Sequence, residues 1–170
     1  MRARRSRATN ARRYALGIDP RLAGALDDAR AAFGDGRVAV LSNSAGTPDD
    51  VGGAAADAIE EALGLPVLRR AHKKPRGFED VAAHFKLAGG AADGSRLVMV
   101  GDRYFTDVVF GNAHGMLTVR TAPLVHRDEP AVVRAARAFE RWYVGRLHRL
   151  GVVPPQQRIA HEAYGYLYKR

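Results

Sequence analysis

Short apolar segments alternate with longer amphipathic segments along most of the chain, and glycine or proline often separates them. Apolar, β-branched runs predict buried strands, and these are residues 37–41, 66–68, 97–100 and 116–120. Apolar positions at helical spacing predict helices, and these are residues 22–33, 49–63, 77–87, 106–114 and 130–150. Strands that alternate with helices at this spacing predict an α/β fold, with a parallel sheet and helices on both of its faces.

The longest predicted helix, residues 130–150, has two faces of different character. Its apolar and aromatic positions are Val133, Ala136, Phe139, Trp142, Tyr143, Leu147 and Leu150. Its basic positions are Arg134, Arg137 and Arg141. This pattern favours a helix that packs on the domain through the apolar face and exposes the basic face to water. The alternative is a helix that lies on an anionic membrane, with Trp142 and Tyr143 at the level of the headgroups.

Composition narrows the classes of protein that the chain can belong to. A length of 170 residues is typical of one domain with a substantial core. The chain has no cysteine, which excludes disulfides and thiolate metal sites, and no apolar run approaches the ~20 residues of a membrane span. The formal net charge of +9 favours anionic partners, which include nucleic acid, lipid headgroups and phosphorylated substrates.

Basic charge is concentrated at the N-terminus. Six arginines fall within the first thirteen residues, and no acidic residue precedes Asp19. An arginine-rich, hydroxyl-containing and acid-free segment is typical of an organelle transit peptide, and the alternative is a basic tail or a nucleic-acid-binding arm. We therefore divide the chain into a basic segment (1–17), an α/β core (18–127) and a C-terminal helix with a basic, aromatic tail (128–170).

Two carboxylates follow the predicted strand 97–100. Gly101 ends this strand, and Asp102 and Asp107 come next, five residues apart. The carboxyl ends of parallel strands form the edge at which α/β proteins bind ligands. Two carboxylates at that edge suit Mg²⁺, which prefers oxygen ligands and usually shares a phosphate of the substrate. A surface turn with two solvated acids is the alternative that this segment alone would allow.

Two further segments have side chains suited to binding a phosphoryl group. Ser42 follows the first predicted strand and begins a loop of small residues that leads into a helix, so its hydroxyl and the loop N–H groups can donate to phosphoryl oxygens. Lys74 precedes Pro75 just beyond the second predicted strand and can neutralise a phosphate. Taken singly, Ser42 could cap a helix and Lys74 could be an ordinary surface lysine.

In this order and spacing the three segments resemble the haloacid dehalogenase (HAD) superfamily of phosphohydrolases. The residue identities within the three segments indicate a narrower family than their order and spacing do. Leu41-Ser-Asn-Ser-Ala-Gly-Thr-x-Asp-Asp50, Lys73-Lys-Pro75 and Val100-Gly-Asp-Arg-x-Phe-Thr-Asp107 are similar to the mitochondrial phosphatidylglycerophosphate phosphatases of that superfamily. The resemblance extends over roughly residues 20–121 in one register.

The resemblance implies a fold and a set of roles. The fold would be a Rossmann-like, three-layer HAD sandwich with a parallel sheet. Ser42 would hydrogen-bond the phosphoryl group, Asn43 would help to shape the oxyanion cradle, and Lys74 would offset negative charge on the nucleophile and phosphate. Asp102 would bind Mg²⁺, and Asp107 would support the ion directly or through water.

The resemblance also implies a substrate and a location. The substrate would be phosphatidylglycerophosphate, cleaved to phosphatidylglycerol on the route to cardiolipin. The enzyme would be mitochondrial, peripheral on the matrix side of the inner membrane, and in contact with anionic lipid. Nucleic acid is not the expected partner, because nothing in the chain resembles an RNA-binding module.

The nucleophile of the superfamily has no clear counterpart in this sequence. Relatives carry an Asp-x-Asp motif on a central first strand, and this chain contains no Asp-x-Asp. Asp19 is the upstream alternative, but Arg21 takes the place of the second acid. We therefore expect the central strand to be absent, leave the nucleophile unassigned, and expect the 170-residue chain to be inactive.

Three hypotheses account for the absence. We favour an N-terminally incomplete sequence of a phosphatidylglycerophosphate phosphatase. The second hypothesis is a nucleophile-free relative that binds a phosphorylated ligand. The third is a basic RNA-binding protein, which would bind RNA with a steep dependence on salt.

Overall fold

The computed structural model describes residues 20–34, 36–87, 93–123 and 130–155, and the chain divides into two compact units. The first unit takes the chain up to Lys73 together with Glu79–Lys86, and the second takes Lys74–Phe78 and the residues from Leu87 onward. The expectations for residues 1–17, for Asp19 and for the aromatic tail from residue 156 lie outside the described residues.

The first unit contains helix α1 (Pro20–Phe33), helix α2 (Ala54–Leu63), one parallel β-bridge and, from Glu79 onward, the helix Phe78–His84. The predicted strands 37–41 and 66–68 are reduced to this bridge, which joins Val40 to Val67. Val40 N donates to Pro66 O at 2.8 Å, and Leu68 N donates to Val40 O at 3.0 Å. The two segments therefore run parallel, as predicted, but pair over a much shorter length than a regular strand.

Helix α2 begins at Ala54, five residues later than predicted. The preceding residues form turns in which Gly52 and Gly53 have φ values of 84° and 75°. These angles are accessible to glycine without steric cost, and they are incompatible with helix. The buried apolar face of α2 packs against the bridge, and the cluster consists of Ala45, Ala56, Ile59 and Val67.

The second unit is built on two parallel strands, β1 (Val98–Gly101) and β2 (Leu117–Arg120), with Val98 opposite Leu117. A π-helical turn (Tyr104–Val108) and helix α4 (Val109–Ala113) connect them. The prediction of a single helix over 106–114 was wrong in its first turn. There the N–H groups of Asp107 and Val108 both donate to Arg103 O, and the turn is π-helical instead of α-helical.

Aromatic side chains fill the core of the second unit. Phe78 is the first residue of helix α3 (Phe78–His84), and its ring stacks on His114 with centroids 4.2 Å apart. The Phe110 ring lies 6.2 Å from the Phe78 ring, and both side chains are fully buried. Gly111 lets α4 approach the strands closely, because a Cβ there would overlap Thr118 Oγ1. Met99 and Met116 complete the buried set.

Helix α5 (Ala131–Arg149) is the longest element, as predicted, but only part of its predicted apolar face is turned inward, namely half-buried Val133, Ala136 and Leu147. Phe139, Trp142 and Tyr143 were expected to pack on the domain, and all three are exposed. The inward face also contains buried Glu140, with Arg137 one turn before it. None of the helices in the described ranges has the length and apolar character needed to cross a membrane.

These elements form a mixed helix and strand structure with a small parallel sheet, which is compatible with the predicted α/β class. Within the described ranges, the parallel pairing consists of the two-stranded sheet β1–β2 and the single bridge at Val40. The three-layer sandwich with helices on both faces of one sheet therefore remains a prediction from the resemblance.

Replacement of Phe110 by alanine should destabilise the second unit strongly. The ring is fully buried between Phe78 and His114, so its loss leaves a cavity that costs about 3–5 kcal/mol in the free energy of unfolding. Phe33 is 52% exposed, and its replacement by alanine should change that free energy by no more than about 0.5 kcal/mol. Urea denaturation of both variants measures the difference, and equal effects would contradict the core assignment.

Candidate active site

Asp107 is a buried acid of the second unit with three hydrogen bonds. It lies in the π-helical turn after β1 and is 5% exposed. Its Oδ1 accepts a hydrogen bond from Lys74 Nζ at 2.5 Å and one from Thr106 Oγ1 at 3.3 Å. Its Oδ2 accepts one from Arg103 N at 3.1 Å. Both carboxylate oxygens are therefore used within the protein.

Lys74 and Asp107 form a buried ion pair, and each side chain is 7% exposed. Two charges at this depth are stable only together, because removal of either leaves the other unpaired and desolvated. The structure thus brings together two of the residues predicted for the site. The sequence positions Lys74 just before Pro75, more than thirty residues upstream of Asp107, and gives no sign that the two touch.

Gly101 makes this arrangement sterically possible. A Cβ on Gly101 would overlap the carboxylate, Cγ and Cβ of Asp107. The backbone at the end of β1 and the Asp107 side chain therefore occupy adjacent space that admits only glycine. Packing against Asp107 therefore explains why the residue before Asp102 is a glycine.

Asp102 follows Gly101 directly and is partly exposed. Its Oδ2 lies 2.5 Å from Nη1 of Arg137 on helix α5. Sequence analysis placed Arg137 on a water-facing basic surface, and this was wrong, because the side chain turns inward to pair with Asp102. A periodic pattern of arginines does not reveal which of them has an acidic partner far away in sequence.

Glu140 holds the same loop from helix α5, and sequence analysis did not identify it. Its Oε1 accepts hydrogen bonds from Arg103 Nε at 3.1 Å and Nη2 at 2.7 Å, and its Oε2 accepts one from Tyr104 N at 3.2 Å. The carboxylate is almost completely buried. Glu140 is the one acid in the sequence of α5, and this isolation among basic residues was the feature that could have identified it. Helix α5 therefore fixes the two residues that follow Asp102.

Ser42 belongs to the first unit, where its hydroxyl organises the loop that follows the bridge. Its Oγ accepts hydrogen bonds from Ser44 N at 3.2 Å and Ala45 N at 3.1 Å, and it lies 3.2 Å from Ser44 Oγ. The hydroxyl hydrogen is the one part of this group that can donate to a ligand. Asn43 is half-buried beside it.

Asp50 accepts hydrogen bonds from backbone N–H groups at the end of the Ser42 loop and at the start of α2. Its carboxylate accepts hydrogen bonds of 2.9 Å from Gly46 N, Ala55 N and Ala56 N. Partial burial raises the pKa of Asp50, but these three N–H groups and the charge of Arg69 together hold the pKa below its ordinary value. The chain therefore supplies its own anion at the start of α2, where Asp50 caps the helix and also takes the N–H group of Gly46 from the loop.

Arg70 is a buried cation beneath the Ser42 loop, and sequence analysis did not identify it. Its Nη2 donates to Ser42 O at 2.5 Å, and its backbone N donates to Gly46 O at 2.7 Å. Burial lowers the pKa of the guanidinium, partly opposed by the charge of Asp80. Nε and Nη1 are buried without a hydrogen-bond partner among the described residues. The Arg69-Arg70 step resembles an ordinary surface pair in the sequence.

The donor set around Asp102 fits Mg²⁺ in a limited way. The parts of the chain that the structure describes contain no group of three or more His, Asp or Glu residues that could hold a metal ion. Mg²⁺ commonly takes one or two protein carboxylates and completes its shell with water and substrate phosphate. Asp102 can supply one such carboxylate, whereas Asp107 has committed both oxygens to Lys74, Thr106 and Arg103.

A parallel strand that ends in Gly-Asp, followed by an acid paired with a distant lysine, is typical of the HAD class of phosphatases, and the chain is a member of this class. A family model described as mitochondrial PGP phosphatase matches residues 8–125. The chain belongs to this family.

Individual relatives agree with the family match. The chain is 47% identical over 149 residues to phosphatidylglycerophosphate phosphatase 1, chloroplastic, of Chlamydomonas reinhardtii, covering 86% of this chain and 53% of that protein. It is 43% identical over 151 residues to the chloroplastic/mitochondrial phosphatidylglycerophosphate phosphatase 1 of Arabidopsis thaliana, covering 88% of this chain and 42% of that protein.

A more distant relative is the mitochondrial phosphatidylglycerophosphatase GEP4 of Saccharomyces cerevisiae. It is 30% identical over 86 residues, which cover 51% of this chain and 46% of that protein. The chain thus spans about half the length of the relatives it matches. No solved structure matches the chain.

Replacement of Glu140 by glutamine should destabilise the second unit, because it leaves the Arg103 guanidinium without its buried counter-charge. We expect a loss of about 2–3 kcal/mol in the free energy of unfolding, measured by urea denaturation. Glu61 on α2 is exposed, and Glu61→Gln is the matched control, with an expected change below about 0.5 kcal/mol. If the Glu140→Gln protein were as stable as the control, the proposed role of Glu140 in holding Arg103 and Tyr104 would be contradicted.

Replacement of Asp50 by asparagine should reduce stability by about 1 kcal/mol at neutral pH. Because the pKa of Asp50 is lowered on folding, its carboxylate stabilises the protein above the pKa of about 3.9 that it has when unfolded. This contribution disappears as the pH falls through the folded-state pKa. Urea denaturation should therefore show the gap between wild type and Asp50→Asn closing in acid, whereas exposed Asp28→Asn should show a much smaller gap at neutral pH.

Proposed function

We propose that the protein from which this chain comes hydrolyses the phosphomonoester of phosphatidylglycerophosphate and releases phosphatidylglycerol. The observation that carries the proposal is the buried Lys74–Asp107 pair next to Asp102 in a chain of the PGP phosphatase family. An ammonium held in this way is a fixed positive charge, and a fixed charge stabilises a phosphoryl transition state without reorganisation.

Each predicted site residue has a role that its contacts support. The Ser42 hydroxyl accepts hydrogen bonds from two loop N–H groups, and its hydrogen would donate to a phosphoryl oxygen in place of the Ser44 hydroxyl. Asn43, its neighbour, would contribute to the oxyanion cradle. Lys74, kept charged and oriented by Asp107, would offset negative charge on the phosphate. Arg70 holds the carbonyl of Ser42 and thereby the backbone at the start of the loop.

Asp102 would hold Mg²⁺. Its Oδ2 would bind the ion in place of Arg137, or Oδ2 would keep Arg137 and Oδ1 would bind the ion. When bound, Mg²⁺ supplies a Lewis acid that draws charge from the phosphoryl oxygens. Asp107 would support the metal end indirectly, since its two oxygens orient Lys74 and the N–H group of Arg103. This role differs from the direct or water-mediated support of the ion that the resemblance implied.

The whole protein would have the three-layer HAD sandwich and would act in mitochondria, peripherally at the matrix side of the inner membrane. The family name and the organelle names of the relatives support the organelle. The lipid substrate and the net charge of +9 support contact with an anionic membrane. Nucleic acid would not be the partner.

The nucleophile is not assigned, because the 170-residue sequence contains no Asp-x-Asp. For this reason we expect the 170-residue chain to bind the phosphomonoester without turning it over. The same observation favours a second candidate function, a nucleophile-free protein that binds a phosphorylated ligand. The two candidates differ in turnover by the whole protein.

Calorimetry with a short-chain, water-soluble phosphatidylglycerophosphate should detect binding that strengthens when Mg²⁺ is added. Asp102→Asn should remove most of the Mg²⁺ dependence, a loss of about tenfold in affinity that corresponds to one charge-assisted contact. Asp28→Asn, on an exposed helical position, is the matched control and should bind as wild type does. Equal affinity for short-chain phosphatidylglycerol, which lacks the phosphomonoester, would contradict the proposed site.

Phosphate release from the same lipid tests the expected inactivity. The 170-residue protein should release none above the blank. Release that Asp102→Asn abolishes would show that this chain contains a working nucleophile. Such a result would refute the inactivity and would leave the phosphatase assignment stronger.

A further inference from the structure

Helix α5 presents a continuous apolar stripe to solvent. The stripe consists of Val132, Phe139, Tyr143 and Leu150, whose spacings of seven, four and seven residues bring them to one side of a helix. Their exposed fractions are 80%, 53%, 41% and 65%. Trp142 flanks the stripe, is 56% exposed, and lies 5.7 Å from the Phe139 ring.

The stripe is distinct from the face through which α5 packs in its own unit. The inward face is occupied by Glu140 and Arg137, which pair with the loop after β1. Phe139 and Tyr143 touch only the edge of this contact, where Phe105 lies 6.0 Å and 5.9 Å from their ring centroids. Isolated exposed apolar residues are common on proteins, but a stripe that holds two aromatic rings and is flanked by a third is typical of a binding surface.

The exposed charged side chains of α5 are all positive, and two of the four, Arg134 and Arg141, lie on the side opposite the stripe. The exposed charged side chains of α5 are Arg134, Arg141, Arg146 and Arg149. Glu140, the one acid of the helix, is buried and neutralised by Arg103. On a helical wheel Arg146 and Arg149 lie on the Trp142 side of the stripe. An exposed aromatic stripe bordered by arginines is complementary to a surface that is apolar within and anionic at its rim.

We propose that the outer face of α5 docks on an anionic lipid surface. Phe139, Trp142 and Leu150 would enter the boundary between headgroups and acyl chains, and Arg146 and Arg149 would contact lipid phosphates. The inference rests on the proposed function only for the choice of a lipid as the partner. The same helix contacts the Asp102 loop with its inner face, so docking would bring that loop to the level of the headgroups.

Trp142 is the single tryptophan of the chain and therefore a specific reporter of α5. The test uses the 170-residue protein with vesicles of phosphatidylcholine, with and without phosphatidylglycerol. Vesicles that contain phosphatidylglycerol should shift the Trp142 emission to the blue, and bromine on their acyl chains should quench it. Quenching separates docking by α5 from attraction by the N-terminal arginines, which lie far from Trp142 in the sequence.

Two pairs of substitutions divide the interaction into its parts. Phe139→Ser with Tyr143→Ser should weaken the quenching at least about tenfold in apparent affinity, because it removes apolar surface from the stripe. Arg146→Gln with Arg149→Gln should weaken it about 30-fold at low salt, because each arginine near an anionic surface contributes about fivefold. The second pair removes charge only and leaves the ring contacts intact, so it tests the proposal even if the first pair unfolds.

Phe33→Ser is the matched control for the stripe, since Phe33 is an aromatic residue of α1 with 52% exposure, close to the 53% of Phe139. Arg37→Gln with Arg96→Gln is the control for charge, because both arginines are exposed and lie outside α5. Both controls should bind vesicles within about twofold to fivefold of wild type.

Three outcomes would overturn the proposal. The first is Trp142 emission that stays unchanged while the protein sediments with vesicles. The second is equal quenching by vesicles with and without phosphatidylglycerol. The third is a stripe that pairs two copies of the chain, seen as a dimer in sedimentation equilibrium that Phe139→Ser with Tyr143→Ser abolishes. Docking without binding of short-chain phosphatidylglycerophosphate would refute the proposed function alone, because docking is measured without the phosphomonoester.

Discussion

The buried ion pair between Lys74 and Asp107 is the constraint on which the rest of the second unit's site depends. Asp107 needs a cation because it is buried, and Lys74 needs an anion for the same reason. The pairing fixes the orientation of the Asp107 carboxylate, which in turn fixes the N–H group of Arg103. Gly101 must then be a glycine, because the carboxylate occupies the space that a Cβ would need. One electrostatic requirement thus determines the geometry on both sides of Asp102.

Helix α5 imposes a second set of constraints on the same loop. Arg137 pairs with Asp102, and Glu140 pairs with Arg103. Neither residue lies in the matched segment 8–125, although both contact its most informative motif. The described part of the site therefore consists of the loop at Asp102, which is hydrogen-bonded to Asp107 and ion-paired with helix α5. The family match does not include this helix. Interactions of this kind restrict the loop more than either ion pair would alone.

The sequence predicted the alternation of elements, the bounds of most helices within a few residues, and the pairing of parallel segments. It could do so because apolar, β-branched runs favour strands even where one face is exposed, as at Val98 and Val100, and because glycines mark the ends of the helices. It did not predict that residues 37–41 and 66–68 pair only at Val40 and Val67, since pairing length depends on neighbouring strands that local composition does not encode.

The site was predictable where one motif carries it and unpredictable where distant segments meet. Asp102 and Asp107 stand close together in sequence, and Lys74 is recognisable from its resemblance to a family. The inward turn of Arg137 and the burial of Arg70 had no local signal, because arginines on a helix or beside another arginine are usually solvated. The choice of outward face on α5 also follows from tertiary contacts, since Glu140 can be buried only where Arg103 meets it.

The charges of the Asp102 loop and its partners sum to zero. Asp102, Asp107 and Glu140 are matched one to one by Arg137, Lys74 and Arg103. A divalent cation added alone would leave two uncompensated positive charges in a partly buried cluster, and a phosphomonoester dianion added alone would leave two negative ones. Added together they restore neutrality. In the proposed function, metal and phosphate would therefore bind more favourably together than singly, and thermodynamic linkage makes the effect of each on the affinity for the other equal.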